Sequence, residues 1–371
     1  MVNRVETIVI GGGAMGSAAA WEMAKRGRPV TLLERFERGH KNGSSHGASR
    51  NFSVGYSDPA YVKMLVEAQL LWRELEAEAD ASLLEMVGIV NHGTNPDYDR
   101  VKVSLAAFGI AAEFLSPVEA SRRWPGIRFD GRVLYTPDAG RLNADASVSA
   151  LQRAAIARGA EVRHNAHVTR LQVVDDDLVR VSMEDEVLEA KRVIVTVGAW
   201  TSKVVGNLLT LPQLVVREAQ PTHFAVRGEE SEWPGFNHKP SAGLSSYDYW
   251  LSAIYGMFTP GEGVKVGWHG AGPIVDPDAR TAGAERLQLA SLRRYAREWL
   301  PGVDADQFDY ASCTTTTTPS SNFILSSQGP LTVGGGFSGH GFKFTPAIGR
   351  ILADLCEGTG SAPVLNASPW D

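Results

Sequence analysis

Residues 5–34 read VETIVIGGGAMGSAAAWEMAKRGRPVTLLE, and their interpretation decides the fold. Residues 5–10 are mostly β-branched and end in the apolar run Ile8-Val9-Ile10, as in a buried strand. Residues 14–25 are alanine-rich and free of proline, as in a helix, and residues 30–33 form a second short apolar strand ending at Glu34. The linking segment, Gly11-Gly12-Gly13-Ala14-Met15-Gly16, satisfies G-x-G-x-x-G. In a strand–turn–helix context Gly11 permits the turn, Gly13 lets the backbone approach a pyrophosphate, and Gly16 lets helix and strand pack closely. The amides of Ala14 and Met15 then open the helix toward the phosphates. Glu34, at the end of the second strand, is placed to accept hydrogen bonds from ribose hydroxyls. The pattern indicates dinucleotide binding and does not by itself separate FAD from a nicotinamide cofactor.

Further along, the chain abandons regular βαβ repetition, which argues against a nicotinamide dehydrogenase. Residues 35–50 form a long polar loop, Arg35-Phe36-Glu37-Arg38-Gly39-His40-Lys41-Asn42-Gly43-Ser44-Ser45-His46-Gly47-Ala48-Ser49-Arg50, either a solvated excursion or a wrap around a cofactor. Asp58 and Pro59 open a helix whose Tyr61, Leu65, Ala68, Trp72 and Leu75 recur at helical spacing and read as core. Residues 86–91 read as a strand, with proline breaks at Pro117 and Pro125, and residues 145–158 as a helix closed by Gly159. Short strands follow at 168–174, 178–183 and 187–190, then a buried strand at 193–197 running into Gly198-Ala199-Trp200. The chain closes on a strand ending at Gly336, a loop, and a helix capped by Thr345 and opened by Pro346.

These elements define an α/β chain of two domains. A Rossmann-like nucleotide domain is expected over 1–81, 142–215 and 310–371, interrupted by a substrate domain with an antiparallel sheet over 82–141 and 216–309. With 371 residues the chain is long enough for two cores, and a net charge of −6 gives no general footprint for nucleic acid or an anionic membrane. Two cysteines, Cys313 and Cys356, make neither a disulfide framework nor a metal-ligand pattern. With no apolar run of membrane length, and no signal-peptide pattern, a cytoplasmic enzyme acting on small molecules is the expectation.

Four stretches carry a family resemblance: 11–16, 42–50, Val264-Lys265-Val266-Gly267-Trp268-His269, and Gly336-Phe337-Ser338-Gly339-His340-Gly341-Phe342-Lys343-Phe344. Together they resemble the monomeric sarcosine oxidase and N-methyltryptophan oxidase family. That resemblance implies a fold of the D-amino acid oxidase and glutathione reductase type. It also implies a FAD-dependent oxidase that converts an N-substituted amino acid or related secondary amine to an imine, reduces O2 to hydrogen peroxide, and works as a monomer. It makes Cys313, at the head of a threonine run ending in Pro319, the covalent flavin anchor. The same resemblance assigns Lys265 to oxygen activation and Lys343 to the substrate carboxylate. Arg50, Tyr255 and His269 fall on the substrate side. Cofactor contacts are expected from Gly11, Gly13, Ala14, Met15, Gly16, Glu34, Arg35, Ser44, His46, Arg50, Val168, Gly198, Trp200, Cys313, Gly339, Gly341, Phe342 and Lys343, with no metal.

Ser53 stands where sarcosine oxidases carry a second arginine. Losing such a charge-assisted hydrogen bond costs about 1.5–3 kcal/mol, which argues against sarcosine itself. Thr315 and Ser320 replace an aromatic residue and an aspartate of the family, changes expected to reshape the pocket. A flavin amine dehydrogenase with another electron acceptor, and a nicotinamide-dependent dehydrogenase, are the alternative readings.

Overall fold

The computed structural model describes residues 3–95, 97–227, 233–240, 247–280 and 283–365. Strand Asn3–Ile10 lies at the centre of a sheet of eight strands among the described residues. Val30–Leu33 and Val187–Val195 flank it in parallel, extended on their outer sides by Glu161–Arg163 and Leu331–Gly335. Parallel strands need cover on both faces, and their near-continuous apolar sequence follows from that. On one face Val9, Leu32 and Ile194 pack with helices Ala14–Lys25, Ala144–Ala157 and Thr345–Glu357. On the other, Ile8, Leu33, Val193 and Val195 pack with Val179, Val181 and Val205.

The close approaches require glycine. A Cβ on Gly16 would fall 1.9 Å from the Gly11 carbonyl oxygen, and one on Gly349 would fall 2.6 Å from the carbonyl carbon of Ala18 where two helices cross. Gly11 itself has φ of 98°, a left-handed conformation costly for a residue with a side chain.

A second eight-stranded sheet runs in the order Val303–Tyr310, Thr222–Val226, Gly263–Trp268, Ile254–Thr259, Gly235–Lys239, Ile89–Gly93, Val133–Thr136, Glu113–Leu115. Its pairs are antiparallel except that Gly235–Lys239 runs parallel to Ile89–Gly93. One face is sealed by helix Arg286–Trp299, whose Leu292, Tyr295 and Trp299 join Phe224, Phe236, Val264 and Val266. The other face turns His223, Lys265, Tyr255 and Asn237 toward a large cavity. A two-stranded ladder, Val215–Ala219 with Cys313–Thr317, stands apart from both sheets and also borders that cavity.

Several local expectations are corrected. The strand expected at 86–91 is two strands, Leu84–Glu85 and Ile89–Gly93, because Gly88 breaks the run at φ of 74°, where a side chain would strike Tyr135. Pro117 opens a helix, Pro117–Arg123, in place of a simple break: Ser116 and Glu119 form a reciprocal capping box in front of it. Residues 187–197 form one strand, Val187–Val195, in place of two. Thr345 does not cap the last helix. A 3-10 turn, Phe342–Phe344, leads directly into it, and the Thr345 hydroxyl donates to the Phe342 carbonyl at 2.6 Å. Lys343 therefore sits inside the helical entry rather than in front of a capped end. Helix Arg286–Trp299 was not expected at all, since its many arginines mask a narrow buried stripe.

No described helix is long and apolar enough to cross a membrane. His92, Asp130 and His238, which no sequence spacing announces, bring ligand-type atoms within 4.8 Å of one another on the sealed side of the second sheet.

Candidate active site

The cavity between the sheets measures about 1520 Å³. At its nucleotide end the main chain of Gly11 to Met15 forms the wall, and the Gly12 amide donates to Glu34 Oε2 at 2.6 Å. The Phe36 amide donates to the other carboxylate oxygen at 3.0 Å, and His40 lies 3.4 Å from it. Burial opposes ionisation of Glu34, but the contacts from His40, Phe36 and Gly12 outweigh it and hold the carboxyl below its usual range. The glycine loop is bare of side chains for a structural reason: a Cβ on Gly12 would meet Glu34 at 2.9 Å, and one on Gly13 would meet Ser45 Oγ at 3.1 Å. A cradle lined by amides, with an acid at the second strand's end, fits the nucleotide half of FAD.

The polar loop 35–50 wraps this end. Ser44 Oγ donates to the Thr314 carbonyl at 2.5 Å, and Ser45 Oγ accepts from the Ala14 amide at 3.0 Å. Arg50 organises the loop by donating to the carbonyls of Ser44, His46 and Ser49 at 3.0, 2.6 and 2.7 Å. Across the rim, Asp278 accepts from Arg35 at 2.7 Å, from the Trp200 indole at 2.8 Å and from Lys203 at 2.6 Å. Those donors, Lys203 foremost, hold its carboxyl far below the ordinary range. Arg280 continues the strap, donating to the Asn42 carbonyl at 2.7 Å and to Ser312 Oγ at 2.8 Å.

At the other end two lysines face the cavity almost without solvent exposure, Lys265 at 5% and Lys343 at 6%. Lys265 projects from Gly263–Trp268 on the face opposite Val264 and Val266, as strand alternation requires. Its Nζ donates to the Ser49 carbonyl at 2.9 Å, the same oxygen that accepts from Arg50. Burial first, then the neighbouring guanidinium of Arg50, brings its pKa down to about 7. Lys343 Nζ donates to the His340 carbonyl at 2.8 Å and lies 5.2 Å from the Tyr56 ring centroid. Burial brings its pKa down to about 7 as well. The main chain at Lys343 is fixed by the Trp72 indole, which donates to its carbonyl at 2.9 Å.

Cys313 begins the strand Cys313–Thr317, half-exposed and lining the cavity. The threonine run that follows is held on both sides, by the ladder to Val215–Ala219 and by the Ser338 amide, which donates to the Thr316 carbonyl at 2.9 Å. The loop containing Gly339 and Gly341 is thereby fastened to the cysteine strand. Tyr255 and His269 meet with ring centroids 4.9 Å apart. Burial, then the Cys313 thiol, raises the Tyr255 hydroxyl above its ordinary range, while burial and Lys343 lower His269 to about 3, so its imidazole is neutral near pH 7. His46 is lowered to about 4 by burial and Arg50.

The residues expected from sequence to be catalytic or to contact the cofactor all line this one cavity except Gly16, which lies behind the loop and serves the helix–strand contact. Thr315 and Ser53 line it too, whereas Ser320 is exposed and outside it, so that substitution does not reshape the pocket. Residues 241–246 lie outside the described residues. The sequence reading missed Asp278, Arg280, His223, Asn237 and Lys239, which also line the cavity. His223 and Lys265 are directly paired across adjacent strands, so alternation along 222–226 is the signal that could have found it.

Fold and site together define a flavin-type oxidoreductase, with a dinucleotide cradle at one end of a cavity and two buried lysines at the other. The FAD dependent oxidoreductase family model matches residues 6–355, and the chain belongs to that family. It is 29% identical over 370 residues to monomeric sarcosine oxidase of Bacillus sp. (strain B-0618), covering 96% of this chain and 93% of that protein. It is 31% identical to peroxisomal sarcosine oxidase of Mus musculus, covering 94% and 91%. Among solved structures it matches NikD, described as an unusual amino acid oxidase essential for nikkomycin biosynthesis, with TM-score 0.85, 27% identity, and coverage of 97% of this chain and 96% of that one.

Proposed function

We propose that this chain is a FAD-dependent oxidase of an N-substituted amino acid or related secondary amine, yielding an imine and hydrogen peroxide, with the flavin tethered through Cys313. On this reading it is a cytoplasmic monomer with a small-molecule substrate and O2 as its partners. FAD, when bound, would supply the acceptor for the hydride removed from the amine carbon, and with it both electrons. The main chain of Gly11, Gly13, Ala14 and Met15, with Glu34, would hold its nucleotide half.

The remaining chemistry falls to the protein's side chains. Lys343 offers a desolvated cation to the substrate carboxylate, where a charge-assisted hydrogen bond is strong because water does not compete. His269, neutral near pH 7, can accept a hydrogen bond without repelling the substrate. Lys265 provides a positive charge in a dry setting for the reduction of dioxygen. The observation that carries the reading is the convergence of Lys265, Lys343 and Cys313, from three separate elements, on one cavity that also holds the glycine loop.

Acid precipitation of the holoprotein tests it. Yellow colour should stay with the precipitated chain and pass to the supernatant in Cys313→Ala, while N-methyl amino acids should release peroxide under air. Colour lost from the unaltered protein would remove the tether, and substrate consumption without peroxide would remove the oxidase.

A further inference from the structure

A second, smaller cavity of about 60 Å³ lies beside the main one. Ser53, Asn237, Lys239, Ala253 and Lys343 line both, so the two share a wall at these residues. The remaining walls are mixed: Tyr56, Tyr98, Val101 and Leu134 are apolar or aromatic, Asn91 and Asn95 are polar, and Asp97 is a carboxylate whose charge is met by Arg100 at 3.5 Å. On the probe-volume scale this space takes roughly four waters, so a carboxylate and its first methylene groups fit.

The placement of Lys239 follows from strand alternation. In Gly235–Lys239, Phe236 and His238 are buried in the aromatic packing under the second sheet, where the His238 ring contacts Trp250 and Trp299. Asn237 and Lys239 therefore take the opposite face, with Asn237 registered against Tyr255 and Lys239 against Gly93. The Asn237 amide is itself fixed, donating to Asn91 Oδ1 at 2.9 Å. A rigid strand thus delivers a second ammonium group to the junction that Lys343 also borders. The electrostatics agree: both Lys343 and Lys239 push down the pKa of His269. The hydroxyl of Ser53, small enough to leave the junction open, completes the set of donors.

We propose that Lys239 is a specificity-determining residue, which together with Lys343 holds the substrate carboxylate at the mouth of this side pocket. The inference rests on the amine-oxidase reading and sharpens its substrate class to amines carrying a carboxylate that reaches past Ser53. Two lysines accomplish there what a lysine and an arginine at position 53 would accomplish in a shallower site.

Calorimetric titration of the holoprotein with propionate, a carboxylate without an amine, reads the subsite independently of turnover. Lys239→Met should weaken propionate binding by about 10- to 100-fold, the loss of one charge-assisted contact, and Lys239→Arg should restore most of it. With carboxylate-bearing secondary amines KM should rise by a similar factor and kcat should change less, whereas the same amines without the carboxylate should show no such rise. Ser53→Arg in the Lys239→Met background should recover affinity by placing a cation at the junction. Unchanged propionate affinity in Lys239→Met, or an equal rise in KM for amines with and without the carboxylate, overturns the assignment. Should propionate bind as described while no amine is oxidised, the subsite stands and the amine-oxidase reading fails.

Discussion

At the nucleotide end of the cavity, Gly11, Gly13, Ala14 and Glu34 come from one βαβ unit, and their geometry is set by backbone sterics and a few amide hydrogen bonds. At the lysine end, Lys265, Cys313, Tyr255, His269 and Lys343 come from different strands and loops, and each is positioned by contacts far away in sequence. Lys265 donates to Ser49, Trp72 holds the main chain at Lys343, and the cysteine strand pairs with Val215–Ala219. One end is a local motif that any such unit can build. The other exists only when both sheets and the loops between them are assembled, and it concentrates the perturbed ionisations. The two ends should therefore fail differently.

The largest effect is expected at the local end. Gly16→Ala forces a methyl group against the Gly11 carbonyl, where no flexible side chain can yield. A destabilisation of about 1–3 kcal/mol or more, with loss of bound flavin, should appear in thermal unfolding and in the absorbance of purified protein. If Gly16→Ala kept flavin and thermal stability while Lys343 variants lost both, the two ends would have been assigned the wrong way round.

At the assembled end, Lys265→Met removes a cation and leaves the fold, since a buried lysine becomes an apolar side chain of similar length. Stopped-flow measurement should show reoxidation by O2 slowed by tenfold or more, with anaerobic reduction by substrate affected far less. The size follows from one cation in a low-dielectric site being worth a few kcal/mol. Equal slowing of both half-reactions would place Lys265 in substrate binding.

Asp278→Asn addresses the strap that joins the two ends. It leaves an acceptor but removes the charge that Arg35, Lys203 and Trp200 converge on. Because these contacts are solvent-facing, the loss is modest, and flavin should be released a few-fold faster from a Cys313→Ala background in which no tether masks it. Unaltered release would make the strap a surface feature.

Acid should produce the most regional effect. His92, His223 and His269 are each lowered to about 3, with burial the leading cause, and His238 well below its ordinary value for the same reason. An unfolded histidine titrates near 6.5, so the unfolded chain binds more protons below that pH and stability declines as pH falls from about 6.5 toward 3. All four belong to the second sheet or its edge, and hydrogen exchange at pH 5 should loosen that sheet before the glycine-loop unit. His92→Phe should flatten part of the dependence, and a pH-independent stability between 4 and 7 would contradict these shifts.

The same contrast explains what was legible in the sequence. Glu34 could be read because its partner Gly12 lies in the same unit, and Lys265 because strand alternation alone puts it opposite Val264 and Val266. Asp278 could not, because its partners Arg35, Trp200 and Lys203 lie far off in the chain and only the assembled rim brings them to one carboxylate. Lys239 was missed because reading it requires knowing that Phe236 and His238 are the buried face of their strand, which depends on helix Arg286–Trp299, itself concealed by surface arginines. Thr345 misled because a threonine before a proline resembles a cap, and only the preceding 3-10 turn shows its hydroxyl donating backward instead.

The central claim, that a flavin in this cavity takes electrons from a secondary amine, is tested most directly by anaerobic titration of the purified holoprotein with N-methyl and cyclic amino acids while flavin absorbance is followed. The account predicts stoichiometric bleaching by at least one carboxylate-bearing secondary amine, lost in Lys343→Met at the same concentration. Bleaching by reduced nicotinamide and by none of these amines would contradict it.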